Sequence, residues 1–392
     1  MAFKSSIQIS SILLFICFAT FSLTTKACQP TDKAALLDFK SLINQDPTKL
    51  LKTWNASTDC CIQWEGVACG SNGRVVNLTR PGLYSTDDSI FDTFMNGTIS
   101  PSLGNLEFLR FLDLSNLKQL VGTIPPTLGK LSHLTDFFLD TNQLEGQIPA
   151  SFQRLTKLRR MYLSDNRLSG PVPTSMLLQM SSLSELGLFN NRLSGGIPSS
   201  IQNLVSLTKI DIHGNQFSGS IPSTIGSLKQ LNYVDLSANK FSGIIPQSIG
   251  ELSKLNLLYL FQNKLSGNLP SSFSGLSSLK FCRLEDNKLT GGLPSSIGKM
   301  TLQRLVLDNN MLSGELPASI GNLTNLDNLS LKNNGFTGNI PSSFSNLNVL
   351  TLDLSHNKLT GKIPPFKNAF PASSFEGNSG LCGSPLPSCK TA

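Results

Sequence analysis

An aliphatic residue recurs at a nearly constant interval along most of this chain, and this period constrains the fold more than any other feature. Eleven regular copies begin between residues 109 and 349, and a twelfth, irregular copy begins at Val75 and carries an insertion over residues 83–95. A period of 23 to 25 residues predicts one supersecondary unit stacked many times, and not two or three ordinary domains. The regular first positions are Leu109, Leu134, Leu158, Leu183, Leu207, Leu231, Leu255, Leu279, Leu302, Leu326 and Val349.

The unit that starts at Leu231 reads LNYVDLSANKFSGIIPQSIGELSK and fits the pattern LxxLxLxxNxLxGxIPxxIGxLxx. Its LxL segment predicts a short β-strand with both leucines on one face, because successive side chains of a strand point to opposite faces. A single unit cannot bury that face, whereas stacked units bury one another's. The pattern therefore predicts a solenoid of about twelve parallel strands, spaced ~4.8 Å apart.

Three further positions of the unit form its turns. The glycine of LxGxIP supplies backbone freedom, and the proline fixes φ where the next segment starts. The asparagine after each strand is expected to be a buried amide that satisfies neighbouring backbone groups, so that the asparagines form a ladder. They are Asn142, Asn166, Asn191, Asn215, Asn239, Asn263, Asn287, Asn310, Asn334 and Asn357.

The two ends of the solenoid require caps, because terminal units would otherwise expose their apolar faces. We expect an N-terminal cap over residues 28–73, repeats over residues 74–365 and a C-terminal cap over residues 366–392. Thr31 or Asp32 is predicted to cap a helix in the first segment. The apolar side of that helix is predicted to consist of Leu36, Phe39 and Ile43.

Cysteines cluster in both caps, which is typical of chains that fold in an oxidising compartment. Adjacent Cys60 and Cys61 can barely bridge each other, so two of the three pairings in the N-terminal cluster remain open. Cys382 and Cys389 are expected to form a local bridge, and Cys282 occupies a leucine position and is predicted to be buried. The clustered cysteines are Cys28, Cys60, Cys61, Cys69, Cys382 and Cys389.

The first residues predict a secretory signal peptide over residues 1–27. Lys4 precedes an uncharged apolar core at residues 12–19, and small residues precede Cys28. No later stretch is apolar enough to span a bilayer, so we expect a mature chain without a membrane span, secreted to the extracellular space or cell wall. Five glycosylation sequons agree with this route. They are Asn55, Asn77, Asn96, Asn322 and Asn328.

The formal net charge of +7, from 32 Lys and Arg against 25 Asp and Glu, is a mild bias. The basic residues do not cluster in any run, which argues against a nucleic-acid partner. A mildly basic surface is compatible with association with an acidic polysaccharide such as pectin.

Four motifs together resemble those of plant extracellular leucine-rich repeat proteins. They are AALLDFKSLINQDP, W-x5-CC-x2-WxGVxC, the LxGxIP repeat and NSGLCGSPLPSC. This resemblance includes polygalacturonase-inhibiting proteins, the ectodomains of plant receptor kinases and receptor-like proteins, and secreted proteins of the same repeat. The inhibitors typically have fewer repeats and more cysteines in the C-terminal cap, so the resemblance to them is weaker.

The resemblance implies an α/β leucine-rich repeat solenoid, with about twelve 24-residue plant-type repeats and disulfide-bonded caps. It implies a curved right-handed superhelix with a parallel concave β-sheet, and a second strand on the convex side at LxGxIP. It also implies disulfide bonds between Cys28 and Cys60 and between Cys61 and Cys69.

Two sets of aromatic and basic residues are predicted to face the concave side, at the third, fifth, seventh and eighth positions of their units. Such a composition is typical of interface anchors, although cross-strand packing that only stabilises the sheet is the alternative. The N-terminal aromatic group is Phe138, Arg160, Tyr162 and Phe189. The central aromatic group is Tyr233, Leu257, Tyr259, Phe261, Phe281 and Arg283.

Between these groups lies a polar strip of Asp211, His213, Asp235 and Ser237. Two carboxylates about 5 Å apart are what a retaining glycosidase uses, and the serine, histidine and aspartates are near enough to suggest a Ser-His-Asp triad. However, we interpret these aspartates as ordinary solvated residues of the repeat, without a desolvating cleft or an oxyanion donor. The sequence thus predicts no catalytic residue. We also expect no metal and no cofactor.

Two further features bear on where a partner binds. A glycan on Asn328, a third position, would block the C-terminal end of the concave face and favour the middle and N-terminal units. The insertion carries Asp87, Asp88 and Asp92 and is interpreted as a tolerated surface loop, with a secondary contact as the alternative.

We therefore expect a secreted, non-enzymatic recognition module that binds a protein, peptide or cell-wall-derived ligand through its concave face, in plant extracellular signalling or defence. A receptor kinase or a microbial glycanase is the expected partner. The alternative function is inhibition of microbial pectin-degrading glycanases, and a passive wall component is a further alternative.

Overall fold

The computed structural model describes residues 27–82 and 93–389. Residues 1–26 of the predicted signal peptide lie outside the described residues, as do residues 83–92 of the insertion with its three aspartates. Within the described part, the chain forms two long β-sheets that run side by side along a stack of repeats. The predicted leucine-rich repeat solenoid is confirmed.

The first sheet is formed by the LxL segments and is called the concave sheet below. Its first two strands pair antiparallel, and the twelve repeat strands are all parallel, as predicted. Numbered in chain order through both sheets, its strands are β2 (Val67–Cys69), β3 (Val75–Thr79), β5 (Phe111–Asp113), β7 (Asp136–Phe138), β9 (Arg160–Tyr162), β11 (Glu185–Gly187), β13 (Lys209–Asp211), β15 (Tyr233–Asp235), β17 (Leu257–Tyr259), β19 (Phe281–Arg283), β21 (Arg304–Val306), β23 (Asn328–Ser330) and β25 (Thr351–Asp353).

The second sheet is formed by the LxGxIP segments, where the resemblance implied a second strand. Its first pair is antiparallel and the rest are parallel. Its strands are β1 (Ile43–Gln45), β4 (Asn96–Thr98), β6 (Leu120–Thr123), β8 (Gln143–Gly146), β10 (Arg167–Pro171), β12 (Arg192–Gly195), β14 (Gln216–Gly219), β16 (Lys240–Ile244), β18 (Lys264–Asn268), β20 (Lys288–Gly291), β22 (Met311–Glu315), β24 (Gly335–Asn339), β26 (Lys358–Lys362) and β27 (Gly380–Cys382).

In the repeats, short helices connect the second sheet to the next unit, and two α-helices lie in the N-terminal cap. The α-helices are α1 (Pro30–Ser41), α2 (Cys60–Gln63) and α3 (Thr174–Gln179). The 3₁₀ helices are Pro101–Asn105, Pro126–Lys130, Ala150–Arg154, Ser199–Asn203, Ser223–Ser227, Gln247–Glu251, Ser271–Gly275, Ser295–Lys299, Ala318–Asn322, Ser342–Asn346 and Ala372–Ser374.

The core is one continuous apolar column between the two sheets. In the unit that starts at Leu231, the side chains of Leu231, Val234 and Leu236 are buried, so the LxL segment faces inward as predicted. Cys282 fills a leucine position and is a buried free thiol, and burial raises its pKa to about 12. Because each unit is covered by its neighbours, the apolar faces leave water only in the stack.

The predicted asparagine ladder is present. Asn239 donates from Nδ2 to the carbonyl oxygens of Ile212, Leu236 and Ser237, and its Oδ1 accepts the backbone N–H of Phe217 at 3.0 Å. Each amide thus joins two adjacent units and satisfies backbone groups that the core would otherwise leave unpaired. The ladder continues into the C-terminal cap through Asn378, which the sequence analysis did not single out.

The cap disulfides join Cys28 to Cys60, Cys61 to Cys69 and Cys382 to Cys389. The first two match the pairing implied by the resemblance, and the third matches the predicted local bridge. In the N-terminal cap, the stacked rings of Trp54 and Trp64, 5.3 Å apart, cover the apolar end of the stack together with helix α1.

The predicted helix cap was wrong. Gln29 is the N-cap residue of helix α1, without a side-chain hydrogen bond, and Ile43 lies in strand β1 and not in the helix. The Asp32 carboxylate is fully buried, pairs with the Arg74 guanidinium at 3.0 Å and accepts the backbone N–H of Val75 at 2.8 Å. A buried carboxylate needs a cation and donors, and the first repeat supplies both.

None of the helices in the described ranges is long and apolar enough to cross a membrane.

Candidate ligand-binding surface on the concave sheet

The register of the concave sheet aligns equivalent positions of neighbouring units into columns. Tyr233 pairs with Leu257, which pairs with Phe281, and in the adjacent column Tyr259 pairs with Arg283. Because parallel strands lie about 4.8 Å apart, side chains at paired positions contact one another. The structure therefore brings the central aromatic group together as one surface.

Arg283 is the centre of the central aromatic group. Its guanidinium carbon lies 4.2 Å from the centroid of the Phe261 ring and 5.6 Å from that of Tyr259. Nε and a terminal nitrogen of the same guanidinium donate to Oε1 of Glu285, which is itself buried. The aromatic residues of the group are half-buried, since they pack against one another along the sheet. The arginine is thus fixed between two rings and a carboxylate before any ligand arrives.

The N-terminal aromatic group is brought together only in part. The rings of Phe138 and Tyr162 stack with centroids 5.7 Å apart, and the Arg160 guanidinium lies 5.3 Å from the Phe138 ring. Phe189 does not join them, because it lies at the seventh position of its unit, whereas Phe138 and Tyr162 lie at the fifth. Its ring stacks instead on the ring of His213, the seventh residue of the next unit, with centroids 4.8 Å apart. Phe189 therefore belongs with the polar strip.

Lys209 connects the two aromatic groups and was missed by the sequence analysis. Its Nζ lies 5.5 Å from the centroid of the Tyr162 ring and 4.8 Å from that of Tyr233. Its third position, paired with Glu185 on one side and Tyr233 on the other, was the available signal. Together these contacts make the aromatic surface nearly continuous from β7 to β19.

The aspartates of the polar strip are buried, which corrects their interpretation as solvated residues. Asp211 and Asp235 pair across β13 and β15 and are 4% and 6% exposed. On the outer sides of this pair, Asp211 pairs with Gly187 and Asp235 pairs with Tyr259. Burial raises the pKa of Asp235. Nδ1 of His213 lies 2.6 Å from Oδ1 of Asp211, and this hydrogen bond raises the pKa of the imidazole against the opposing effect of burial.

The strip does not form a catalytic triad in this structure. The Ser237 hydroxyl donates to Oδ1 of Asp235 at 2.5 Å, whereas His213 is bonded to the other aspartate, Asp211. A serine nucleophile would have to donate to the imidazole instead. The hydrogen bonds therefore hold two separate carboxylates in place.

Two of the five sequons lie on the concave sheet, at third positions near its two ends. Asn328 is on β23, as predicted, and Asn77 is on β3, where it pairs with Phe111. Asn77 is exposed and Asn328 half-buried. If glycans occupy them, both aromatic groups and the polar strip lie between the two glycans.

Three family models match the chain. The leucine rich repeat N-terminal domain matches residues 29–70, and two leucine rich repeat models match residues 229–289 and six further segments between residues 157 and 367. These segments coincide with the N-terminal cap and with the repeat units of the two sheets.

Curated relatives match over part of their length. The leucine-rich repeat protein FLOR 1 of Arabidopsis thaliana is 39% identical over 129 residues, which are 33% of this chain and 35% of that protein. A polygalacturonase inhibitor of Vitis vinifera is 36% identical over 129 residues, 32% of this chain and 35% of that protein. The chain thus spans about a third of the length of the curated relatives it matches.

Solved structures match over more of the chain. The plant peptide hormone receptor RGFR1 in complex with RGF2 is 34% identical with a TM-score of 0.62, over 72% of this chain and 53% of that one. The structure of PEPR1-AtPEP1 is 29% identical with a TM-score of 0.66, over 86% and 53%. A plant ice-binding protein is 27% identical with a TM-score of 0.58, over 94% and 100%. With its N-terminal domain, its repeat units and its two parallel sheets, this chain belongs to the plant leucine-rich repeat proteins.

Proposed function

We propose that the protein is a non-catalytic recognition module that binds a peptide or an extended protein segment on its concave sheet, centred on the central aromatic group. The observation that carries this proposal is the position of Arg283, held over Phe261 and Tyr259 by Glu285 on the open face of the sheet. Aromatic side chains with an arginine are the residue types that contribute most binding free energy in protein interfaces.

The pre-organised Arg283 side chain favours a binding role for the central aromatic group over a role in sheet packing alone. A guanidinium that is already fixed loses little side-chain entropy on binding, and the Arg283 side chain remains 34% exposed to a partner. The half-buried rings of Tyr233, Tyr259 and Phe261 still present part of their surface. A ligand that covers them removes apolar area from water and needs no rearrangement of the sheet.

The comparisons support the same kind of ligand. One matching structure is a plant peptide hormone receptor, RGFR1, in complex with RGF2, and another is PEPR1-AtPEP1. Three disulfide bonds and the sequons are typical of an extracellular protein, so we place the binding event outside the cell, in the extracellular space or the cell wall. A receptor kinase is the partner class we favour.

The second candidate function is inhibition of a microbial pectin-degrading glycanase. It is favoured by the polygalacturonase inhibitors of Vitis vinifera and Arabidopsis thaliana among the relatives, at 35–36% identity. The same concave surface would then contact a folded enzyme, and pectin association would bring inhibitor and enzyme together.

The test compares three proteins in affinity capture from plant extracellular fluid. The parent is compared with a Tyr259→Ala, Phe261→Ala, Arg283→Ala variant and with a matched Ser218→Ala, Ser242→Ala, Ile244→Ala variant of the second sheet. We expect the concave variant to bind the captured partner at least about tenfold more weakly, a loss of ~1.4 kcal/mol, and the second-sheet variant to bind like the parent.

The partner's class then separates the two candidates. A peptide or receptor kinase supports the recognition module, whereas a glycanase whose activity the parent lowers supports the inhibitor. Equal binding of the parent and a correctly folded concave variant would contradict both, since the central aromatic group would then only stabilise the sheet.

A further inference from the structure

The middle of the concave sheet holds three metal-ligating groups that the proposed function does not use. One imidazole nitrogen of His213 and one carboxylate oxygen each of Asp211 and Asp235 all lie within 4.8 Å of one another. Both carboxylates are more than nine-tenths buried. No metal was expected from the sequence, where these aspartates were interpreted as ordinary solvated residues, whereas the structure buries both of them.

The distances suit a single small cation. Nδ1 of His213 lies 2.6 Å from Oδ1 of Asp211 and 3.8 Å from Oδ2 of Asp235. Zn²⁺ binds imidazole nitrogen at about 2.0–2.1 Å and carboxylate oxygen at about 2.0–2.2 Å, so tetrahedral ligand atoms lie roughly 3.4 Å apart. The two distances bracket that value, and small rotations of side chains suffice to equalise them.

The surrounding residues hold these groups as outer-shell partners hold metal ligands. The backbone N–H and the hydroxyl of Ser237 both donate to Oδ1 of Asp235, which leaves Oδ2 toward the imidazole. The Tyr233 hydroxyl lies 3.4 Å from Oδ2 of Asp211. The Phe189 ring stacks on His213 with an interplanar angle of 5°, which fixes the imidazole plane.

The local charge also favours a cation. Two carboxylates on adjacent strands are withdrawn from water, and the charge of Asp165 adds to the negative potential at His213. Lys209 places its ammonium over the rings of Tyr162 and Tyr233 and forms no ion pair with either carboxylate in the described structure. A divalent cation would compensate both negative charges at once.

We infer that Asp211, His213 and Asp235 bind one divalent transition-metal cation of the Zn²⁺ class on the concave sheet. Mixed imidazole and carboxylate ligands select such cations over the hard cations that prefer oxygen alone. Three protein ligands leave a coordination position open toward the concave face, between the two aromatic groups, where a carboxylate or imidazole of a bound partner can complete the shell. The other described cluster, Cys28, Cys60 and Cys61, offers no thiolate because its cysteines are in disulfide bonds.

The experiment titrates the purified, tag-free full-length protein with ZnCl2 by isothermal calorimetry, and with CoCl2 by visible absorption. We expect one Zn²⁺ per chain, and a Co²⁺ spectrum with the intensity of a four- or five-coordinate site. His213→Gln and Asp235→Asn should each weaken Zn²⁺ binding at least tenfold and remove the Co²⁺ absorption.

Two variants serve as matched controls. Asp113→Asn removes an aspartate that accepts the same two hydrogen bonds, from the backbone and hydroxyl of Ser115, and that has no histidine partner among the described residues. His356→Gln removes the histidine that lies 3.4 Å from Glu376. Both should bind Zn²⁺ like the parent. Far-UV circular dichroism checks that every variant is folded.

Two results would overturn the inference. One is Zn²⁺ binding that is equal in the parent and in folded His213→Gln and Asp235→Asn variants. The other is the absence of saturable binding at Zn²⁺ concentrations on the order of millimolar. Neither result bears on the proposed function, because the capture variant changes Tyr259, Phe261 and Arg283 and leaves the three ligands intact.

Discussion

Burial sets the pKa of individual carboxyl groups on the concave sheet. Asp140, at the seventh position of its unit, is half-buried, and burial raises its pKa to about 6. A backbone hydrogen bond opposes the shift, whereas the charges of Asp113 and Asp165 add to it. Because folding disfavours the charged form, the folded state binds more protons than the unfolded state between about pH 4 and pH 6.

This shift predicts a pH dependence of stability. The stabilisation that protonated Asp140 retains below about pH 4 is lost as the pH rises through about 6, so the free energy of unfolding falls over that window. Asp140→Asn removes the titration, and the difference between variant and parent should therefore grow from pH 4 to pH 7. Equilibrium urea unfolding at a series of pH values measures it.

Asp327→Asn serves as the control for the loss of one negative charge, because Asp327 is exposed and lies far along the chain from Asp140. Its effect on stability is measured at each pH and subtracted, so that the loss of one charge is separated from the burial of Asp140. A flat difference for Asp140→Asn after this subtraction would show that the carboxyl is solvated in solution.

Several units contain two glycines that serve different purposes. Gly219, in LxGxIP, has a φ of +77°, and a Cβ there would meet no atom within 4 Å. Gly250, in the 3₁₀ helix Gln247–Glu251, lies so close to the next unit that a Cβ would be 2.2 Å from the backbone oxygen of Ser272. The first glycine is needed for its backbone conformation and the second for the close approach of stacked helices.

Alanine substitutions should separate these two effects. Gly219→Ala should destabilise the protein by about 1–2 kcal/mol, the cost of a left-handed conformation for a residue with a Cβ. Gly250→Ala should cost about 1–3 kcal/mol more than that through overpacking, because a backbone oxygen cannot rotate away. The free energies come from urea unfolding of both variants and the parent. A smaller cost for Gly250→Ala than for Gly219→Ala would mean that the helices separate easily.

At the scale of the whole molecule, each unit contacts only its neighbours, so the two ends determine where unfolding begins. The C-terminal end is covered by strand β27, by Asn378 at the end of the ladder and by the bridge between Cys382 and Cys389. The N-terminal end has helix α1, the two stacked tryptophans and two disulfide bonds.

Removal of the C-terminal bridge should loosen that end alone. A Cys382→Ala, Cys389→Ala variant is expected to lose about 2–3 kcal/mol of local stability, the estimate for a bridge that closes a short loop. Hydrogen exchange followed by mass spectrometry should show faster exchange in β26 and β27 and no change in β3 and β5. The matched Cys61→Ala, Cys69→Ala variant should instead show faster exchange in β3 and β5 and no change in β26 and β27. Faster exchange at both ends in both variants would contradict end-dependent unfolding.

The repeat period alone predicted the architecture, because the same local pattern recurs in every unit. The inward leucines such as Leu231, the ladder asparagines such as Asn239 and the left-handed glycines such as Gly219 follow from strand alternation, amide chemistry and backbone sterics. Strand alternation, amide hydrogen bonding and backbone sterics are satisfied within a unit or between units of the same pattern. They can therefore be predicted without knowing which side chains the neighbouring unit carries at its variable positions.

Only the tertiary structure decided the features that depend on residues that do not repeat. The burial of Asp211 and Asp235 is visible only in the folded sheet, and the stacking of Phe189 on His213 follows from the register of β11 and β13. Asp32 does not cap helix α1, because its buried carboxylate instead pairs with the Arg74 guanidinium and accepts the backbone N–H of Val75. The sequence by itself determined the scaffold, since periodic burial is a local property, whereas the site arises from contacts between unlike neighbours, which only the stacked chain brings together.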